Sequence, residues 1–297
     1  MELLRSELAL VLGEPISRVE CISQQPYASL YTLYDDGGHA LPLVARYFRV
    51  QGAAAQEAHK LSILAREGKV RVPIVYGLVI SQQMPRHEVL LIERISGFPL
   101  DIPMRAPDRW RQLREQVVAG LLSWHRIESK GLVGNVDSTQ QNSWPAWYAQ
   151  RIEVLWASLN YMRPTRLKME DRQILFRSRA CVGALFAGFN DPCVLVHGNL
   201  TLNNMLREAS SDRLLAMVNP GPVQWAPREF ELYPLCETGT GDEVLGEYLQ
   251  SAPVAEGFAA RRWLYILWEE AAHLVHREPF DSARFRLAAD SLLPWIP

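Results

Sequence analysis

The chain has 297 residues, 48% of them hydrophobic, and its 31 basic and 33 acidic residues give a formal net charge of −2. A chain of this length and apolar content can bury a large core and is predicted to form two lobes or domains. No basic block is present, which argues against nucleic acid as a partner, because binding to a phosphate backbone needs clustered cations.

The cysteines and the N-terminal residues indicate where the protein works. Cys21, Cys181, Cys193 and Cys236 are scattered without a Cys-x-x-Cys pair, a pattern typical of thiols in a reducing compartment rather than of disulfides or a zinc site. Residues 1–15, MELLRSELALVLGEP, are amphipathic with acids inside the apolar stretch, which predicts a helix and not a signal peptide. No apolar run is long enough to cross a bilayer. We therefore expect a cytoplasmic protein without a membrane partner.

The first 95 or so residues are predicted to be rich in β-structure. After a short helix over 2–12, residues 17–50 hold three strand-like stretches, and Asp35-Asp36-Gly37-Gly38 signals a hairpin. The alanine-rich stretch GAAAQEAHKLSILAREG predicts a helix that Gly68 stops. VPIVYGLVI and EVLLIERI predict two more strands, the second central because it is nearly all apolar. The Gly/Pro-containing stretch SGFPLDIP then predicts a lobe boundary, with lobes 1–96 and 97–297.

The remainder of the chain is predicted to be mainly helical. Three long stretches have apolar residues at helical spacing: PDRWRQLREQVVAGLLSWHRIES, WPAWYAQRIEVLWASLNYM and MEDRQILFRSRACVGALFAGFN. The last sixty residues have the same spacing. A small strand–loop–strand insert interrupts the helices, with short strands at Val194–Val196 and Met205–Leu206. The fold class that this layout predicts is α+β, with a small β-rich lobe and a larger mainly helical lobe.

The loop of this insert has the strongest functional signal in the sequence. Between its strands, VLVHGNLTLNNML places His197, Asn199, Asn203 and Asn204 within eight positions. A loop with that much hydrogen-bonding capacity suggests a phosphate- or metal-handling site. It holds no carboxylate, however, although phosphoryl-transfer chemistry would normally need one there.

Several features of the chain occur in a specific order. Arg46 lies in a strand, Glu57 follows eleven residues later in a helix, a linker follows VLLIERI, and HGNLTLNN and MVNPGPVQWAPREFEL come last. This order resembles the aminoglycoside phosphotransferase and fructosamine kinase branch of the protein-kinase-like superfamily. The resemblance implies a bilobal kinase-like fold, with residues 1–96 on the nucleotide side and a catalytic-loop-like segment at 194–232.

The resemblance also implies roles for individual residues. A nucleotide or small-molecule ligand is expected in the cleft between the lobes. Arg46 and Glu57 match the family's ion pair on the phosphate side, and the hinge residues Glu93 and Ile95 are expected to contact the cofactor. His197 is expected to brace the loop with His125 packed nearby. The catalytic and metal-binding positions of the family fall on Asn199, Asn204 and Asn219.

Three parts of the phosphoryl-transfer machinery depart from the family's pattern. Asn199 replaces the catalytic Asp, and Asn219 replaces the metal-binding Asp, while Asn204 matches the family's second metal ligand. An amide is no general base, a loss worth about 10²–10⁴ in rate, and neutral amides cannot offset the charge of Mg²⁺ as a carboxylate does. The Gly-rich turn over the phosphates should lie at 23–29, SQQPYAS, which has no glycine. We therefore expect binding of ATP and Mg²⁺ to be weak or absent.

Ordinary structural roles compete with these assignments. Arg46 and Glu57 could form a common strand–helix ion pair at the surface, and Asn199 and Asn219 could be neutral loop caps. Arg228-Glu229 and Glu231 match a family segment that anchors the metal turn, a structural role. Glu270, His273 and His276 have the spacing of a di-metal helix, but a second such motif is missing. A solvated or core-edge helix face is therefore expected for them.

Three functions remain open at this level. The first is an active ATP-dependent kinase of a small hydroxylated substrate such as a sugar, a glycated amine or an aminoglycoside. The second is a pseudokinase that binds a nucleotide or metabolite but transfers nothing, and the third is an interaction platform with a vestigial cleft. The two Asp-to-Asn replacements and the glycine-free turn favour the second.

Overall fold

The structure is a computed structural model, and it describes residues 2–24, 28–81, 86–102, 104, 106–162, 167–237 and 239–296. Within the glycine-free turn predicted at 23–29, residues 25–27 lie outside the described residues. The chain divides into two compact units. The first comprises Met1–Pro99 and Met205–Val218, and the second comprises Leu100–Asn204 and Asn219–Pro297. The division into lobes 1–96 and 97–297 stays a prediction.

Runs of strands and runs of helices follow one another along the chain. Through the first half they are α1 (Glu2–Leu12), β1 (Arg18–Gln24), β2 (Ala28–Tyr34), β3 (Ala40–Phe48), α2 (Ala53–Glu67), β4 (Val75–Ile80), β5 (Glu88–Glu93), β6 (Phe98–Pro99), α3 (Pro107–His125), β7 (Leu132–Asn135) and β8 (Gln140–Gln141). The later elements are α4 (Trp144–Tyr161), α5 (Met169–Ala180), α6 (Val182–Leu185), β9 (Cys193–Val196), β10 (Met205–Arg207), β11 (Leu214–Met217), β12 (Gln224–Pro227), α7 (Arg228–Leu232), α8 (Gly239–Ser251), α9 (Phe258–His276) and α10 (Ser282–Leu292).

The first unit is built on an antiparallel sheet with the strand order β1-β2-β3-β5-β4. Leu4 and Leu8 of α1 are buried in one apolar cluster with Val89 and Leu91 of β5. The helix α2 also packs on β5, so the apolar residues of that strand are buried at successive positions. The predicted interior position of this strand is confirmed, as is the predicted hairpin, where the backbone N–H of Asp35 donates to the His39 carbonyl at 3.0 Å.

The second unit is mainly helical, as predicted, and α9 is its most buried helix. The prediction of one continuous helix over 169–190 is wrong, because the chain breaks into α5 and α6 at Cys181. There the backbone N–H of Cys181 donates to the Ser178 carbonyl three residues back, which tightens the last turn and ends the helical ladder. Among the described residues, no helix is both long and apolar enough to cross a membrane.

Both strands of the predicted strand–loop–strand insert are present, as β9 and β10. The strands on either side of the loop do not pair with each other. Strand β9 pairs with β12 in a four-stranded sheet, β8-β7-β12-β9, whereas β10 lies between β11 and β6 in a three-stranded sheet. Strands β7 and β12 escape sequence analysis because they are short and contain Gly134 and Pro227, residues that weaken a strand pattern. The loop 197–204 therefore connects two different sheets.

Candidate functional site

Three of the predicted site residues form one cluster in the second unit. Asn199, Asn204 and Asn219, here called the asparagine triad, are half-buried and joined by their side-chain amides. The Asn199 Nδ2 donates to the Asn219 carbonyl at 3.0 Å, and the Asn204 Nδ2 donates to the Asn199 carbonyl at 3.0 Å. The Asn219 Nδ2 lies 3.4 Å from the Asn204 Oδ1. The triad is therefore closed by neutral amide donors and oxygen acceptors.

Close backbone contact brings the two halves of this site together. The backbone N–H of Gly221 donates to the His197 carbonyl at 3.1 Å. Gly198 has a φ of +81°, and a Cβ added there would lie 2.5 Å from the Pro222 carbonyl oxygen, so only glycine fits that position. Asn219 adopts a φ of +53°, a left-handed conformation that Asn tolerates better than most residues. The local sequence thus supplies the residue types that this contact requires.

A buried carboxylate holds the loop from beneath. Glu231, which is 2% exposed, accepts hydrogen bonds from the backbone N–H groups of His197 and Gly198. The His125 Nε2 lies 3.7 Å from the Glu231 Oε2, and the buried His197 ring stacks on Trp124 with ring centroids 5.8 Å apart. His125 and His197 therefore lie near one carboxylate, in the arrangement expected for a braced loop.

The neighbouring residue Glu229 forms a second buried anchor. Its carboxylate receives two hydrogen bonds of 2.7 Å from the Arg261 guanidinium, and the hydroxyl of Tyr265 also donates to it. Burial, with the nearby Glu229 charge, raises the pKa of Tyr265. The segment Arg228–Leu232 is thus fixed to the helix α9, in keeping with a structural role for Glu229 and Glu231.

The predicted ion pair of the first unit is present and buried. The Arg46 Nη1 lies 2.7 Å from the Glu57 Oε1, with side-chain exposures of 16% and 6%. Lys60 approaches the same carboxylate at 3.7 Å. The alternative of an exposed surface pair is therefore wrong, while the phosphate-side role stays a prediction.

The two predicted hinge contacts also lie in the first unit. Glu93 ends the strand β5, and its carboxylate pairs with Arg71. Ile95 is half-buried in the loop that follows. Neither position tests the predicted cofactor contact, which stays a prediction.

A cavity of about 870 Å³ opens beside the loop within the second unit. Asn199 and Asn203 line one side, with Asp101 next to them, and aromatic side chains line much of the remainder: Tyr148, Phe230, Tyr233, Tyr265 and Trp268. Volumes of roughly 300–1,000 Å³ suit small-molecule sites. Sequence analysis missed Asp101 as a site residue, although it lies in the Gly/Pro-containing stretch that marks the predicted boundary.

The polar residues of the triad do not fit a divalent cation. The side chains are neutral, and the Asn204 Oδ1 faces the Asn219 amide. Mg²⁺ needs near-octahedral oxygen coordination, usually with one or two carboxylates. Among the residues that the structure describes, no group of three His, Cys, Asp or Glu side chains could hold a metal ion. The triad itself therefore contributes no carboxylate to a metal ion.

The Glu270–His273 motif forms an ion-pair network instead of a metal site. The His273 Nδ1 lies 3.4 Å from the Glu270 Oε2, and Arg284 binds the same carboxylate at 2.7 Å. Burial raises the pKa of Glu270, but the hydrogen bonds from His273 and Arg284 outweigh it, and the pKa is lowered. The hydrogen bond to Glu270 raises the pKa of His273. The predicted core-edge helix face is confirmed.

Together, the antiparallel first unit, the helical second unit and the loop 197–204 define a protein with a phosphotransferase fold. Residues 29–267 match the model of the phosphotransferase enzyme family, and the chain belongs to that family. The uncharacterized protein YcbJ of Escherichia coli (strain K12) is 51% identical over 296 residues, which cover 100% of both chains.

Solved structures share the fold at low sequence identity. A putative fructosamine-3-kinase from Haemophilus somnus 129PT has a TM-score of 0.71 at 16% identity, over 98% of this chain and 96% of that one. A thermostable mutant of aminoglycoside phosphotransferase APH(4)-Ia, in a ternary complex with ADP and hygromycin B, has a TM-score of 0.71 at 13% identity, over 98% and 97%. The resemblance stated from the sequence is confirmed.

Proposed function

We propose that this protein is a catalytically impaired phosphotransferase, a pseudokinase that binds a nucleotide or small metabolite. The observation that carries the proposal is the bonding of the asparagine triad. Two of its bonds use the side-chain N–H groups of Asn199 and Asn219 as donors. An ionised Asp has no such donor, so an active site with carboxylates at these positions could not be closed in this way.

The chemistry of the loop supports the same proposal. Asn199 can orient a hydroxyl group by hydrogen bonding, but it cannot accept its proton in the transition state. Glu231, the buried carboxylate beneath the loop, is already engaged by two backbone N–H groups. Positioning of a ligand is therefore possible at this site, while general-base catalysis by these residues is not.

Nucleotide binding is supported from outside the loop. The solved relative noted above is described with ADP and hygromycin B bound, and another, the aminoglycoside 2'-phosphotransferase-IIIa, with GDP. In this chain, the buried Arg46–Glu57 pair offers a guanidinium whose forked geometry suits phosphate oxygens. We propose that nucleotide binding, where it occurs, depends little on Mg²⁺.

Thermal unfolding with ATP tests this proposal. A ligand at one hundred times its Kd raises the free energy of unfolding by about 2.7 kcal/mol. We expect ATP to stabilise the protein by no more than that. The stabilisation should not change when Mg²⁺ is replaced by EDTA. Transfer of radiolabelled phosphate from ATP to a panel of sugars, glycated amines and aminoglycosides should stay at background. A large shift that needs Mg²⁺, or transfer above background, would contradict the pseudokinase proposal.

A second candidate function is an active ATP-dependent kinase of a hydroxylated small molecule. The cavity beside Asn199 favours it, because it keeps room for an acceptor next to the loop. In that case catalysis would rely on positioning and electrostatics at low turnover. Product formation that requires Mg²⁺ and is abolished by Asn199→Ala would support this candidate.

A further inference from the structure

The charges along the large cavity of the second unit are unevenly matched. Its acidic lining residues are Asp101, Glu231, Glu269 and Glu278, and its arginines are Arg151 and Arg284. A formal count over these six residues would predict a cationic ligand. The contacts of each group lead to a different conclusion.

The acids that line the cavity are engaged by the protein itself. Glu269 lies 2.6 Å from the Arg284 Nη2 and hydrogen-bonds Tyr233, and Glu231 accepts the two backbone N–H groups of the loop. Glu278 lies 3.8 Å from the His273 Nε2.

Asp101 completes the set of engaged acids. It faces the Asn203 amide, whose nitrogen lies 3.0 Å from the Asp101 Oδ1 in the orientation that satisfies both groups. A ligand cation would therefore have to compete with an existing partner at each of these carboxylates.

Arg151 is different. It lies on the helix α4, one turn after Trp147, and its guanidinium carbon is 5.9 Å from the centre of that indole ring. Tyr148, Ile152 and Leu155 of the same helix also line the cavity. In the described part of the chain, the guanidinium of Arg151 has no carboxylate within ion-pair distance.

We propose that the ligand of this cavity carries an anionic group, a carboxylate or a phosphate monoester, that pairs with Arg151. This inference rests on the proposed function, namely that the protein binds a small metabolite. The cation–π contact with the Trp147 indole restricts the guanidinium, which lowers the entropy lost on binding. A guanidinium presents two parallel N–H donors to such an anion, and the amides of Asn199 and Asn203 face the same space for ligand hydroxyl groups.

Four sugars of similar size test the proposal: gluconate, glucose 6-phosphate, neutral glucose and cationic glucosamine. Binding is followed by the NMR signals of the tryptophan indole N–H groups, which include Trp268 in the cavity wall. We expect gluconate or glucose 6-phosphate to bind more tightly than the other two sugars, and the stronger of the two identifies the anion.

Variants then assign the anion to its partner. Arg151→Gln should weaken anion binding about tenfold or more, as expected for loss of a charge-assisted hydrogen bond, and Arg151→Lys should recover part of it. The control is Arg179→Gln, because Arg179 also lies over a tryptophan ring, that of Trp156, but pairs with Glu153 and does not line the cavity. It should leave the affinity unchanged.

Three results would overturn the inference: preferred binding of glucosamine, anion binding that Arg151→Gln does not weaken, or no binding of any probe at millimolar concentration. The ATP-induced thermal shift and the transfer assay, both measured on the parent protein, separate this inference from the proposed function. A failure of the pseudokinase proposal would appear in those two assays of the parent protein, whereas a failure of the Arg151 inference would appear only in the sugar titrations.

Discussion

The Arg46–Glu57 pair and the asparagine triad are two small polar clusters held together by opposite means. The pair is a contact between two charges, 2.7 Å apart and largely buried. The triad joins neutral amides to oxygen acceptors. A buried charge needs its partner, because an uncompensated ion in a protein interior is costly. Neutral amides satisfy one another without any ion. The first cluster is therefore vulnerable to loss of charge, and the second to its introduction.

The largest expected effect comes from breaking the charged cluster. Glu57→Ala leaves the Arg46 guanidinium buried beside Lys60 without its carboxylate, and we expect a loss of about 3–5 kcal/mol in the free energy of unfolding. Glu67→Ala on the same helix removes the partner of the more exposed Arg66 and should cost about 0–1 kcal/mol. Urea denaturation measures both variants. Equal losses would show that burial does not distinguish these pairs.

Adding charge to the triad should have the next largest effect. Asn199→Asp with Asn219→Asp removes two amide donors and places like charges together, so we expect a loss of about 2 kcal/mol without divalent cations. Mg²⁺ or Mn²⁺ should then stabilise the double variant more than the parent, because the ion relieves the repulsion.

Single variants should show smaller cation responses, and the difference measures the coupling between the two positions. For the single variants, Asn142→Asp is the charge-matched control, because Asn142 lies outside the triad and its side-chain oxygen accepts a hydrogen bond that Asp can keep. Melting temperatures over a cation titration give the result. If the parent and the double variant respond equally, the two asparagines do not form one site.

A smaller effect is expected from the backbone of Asn219. Its positive φ is strained for residues with a Cβ, and Asn219→Ala should cost about 1–2 kcal/mol. Asn219→Gly relieves the strain and should be the milder substitution, although it also loses the amide. Thermal melts of the two variants compare strain with hydrogen bonding. A glycine variant less stable than the alanine variant would show that strain contributes little.

The smallest effect is a dependence on pH that the neutral triad cannot produce. The lowered pKa of Glu270 contributes stability above its ordinary pKa, which is lost as the pH falls through the lowered value. The raised pKa of His273 contributes stability below its ordinary pKa, which is lost as the pH rises through the raised value. His273→Gln should remove the second decline, whereas Asn204→Ala should leave both in place. Unfolding free energies across the pH range test this expectation.

Local patterns account for how much of the fold was predictable. The strand β5 is a nearly unbroken apolar run and the helix α2 ends at Gly68, so the sequence predicts both. Strands β7 and β12 are defined by their hydrogen-bonded pairing, which includes Trp225↔Gly134. No local pattern in either sequence predicts them. Tertiary partners that lie far apart in sequence decide such features, so a local pattern cannot reveal them.

The candidate site divides in the same way. The order of motifs indicated Asn199, Asn204 and Asn219 together, and the structure joins them. Arg151 is not predicted because nothing in its neighbouring residues marks it, and Asp101 is not predicted because its Gly/Pro-containing stretch marks only a lobe boundary. They are candidates because they line a cavity that is formed by helices and loops far apart in sequence. A guanidinium without a carboxylate partner is a property of three-dimensional surroundings, and a sequence pattern contains no sign of it.

The strand β10, which pairs with Phe98–Pro99, has a consequence for synthesis on the ribosome. Residues 205–218 belong to the first unit, but they are translated only after the whole of 100–204. The three-stranded sheet β11-β10-β6 therefore cannot form until most of the chain has emerged. The first unit is assembled from two chain segments that lie far apart in sequence. During synthesis, Phe98 and Pro99 stay unpaired until a hairpin more than 100 residues downstream has been translated.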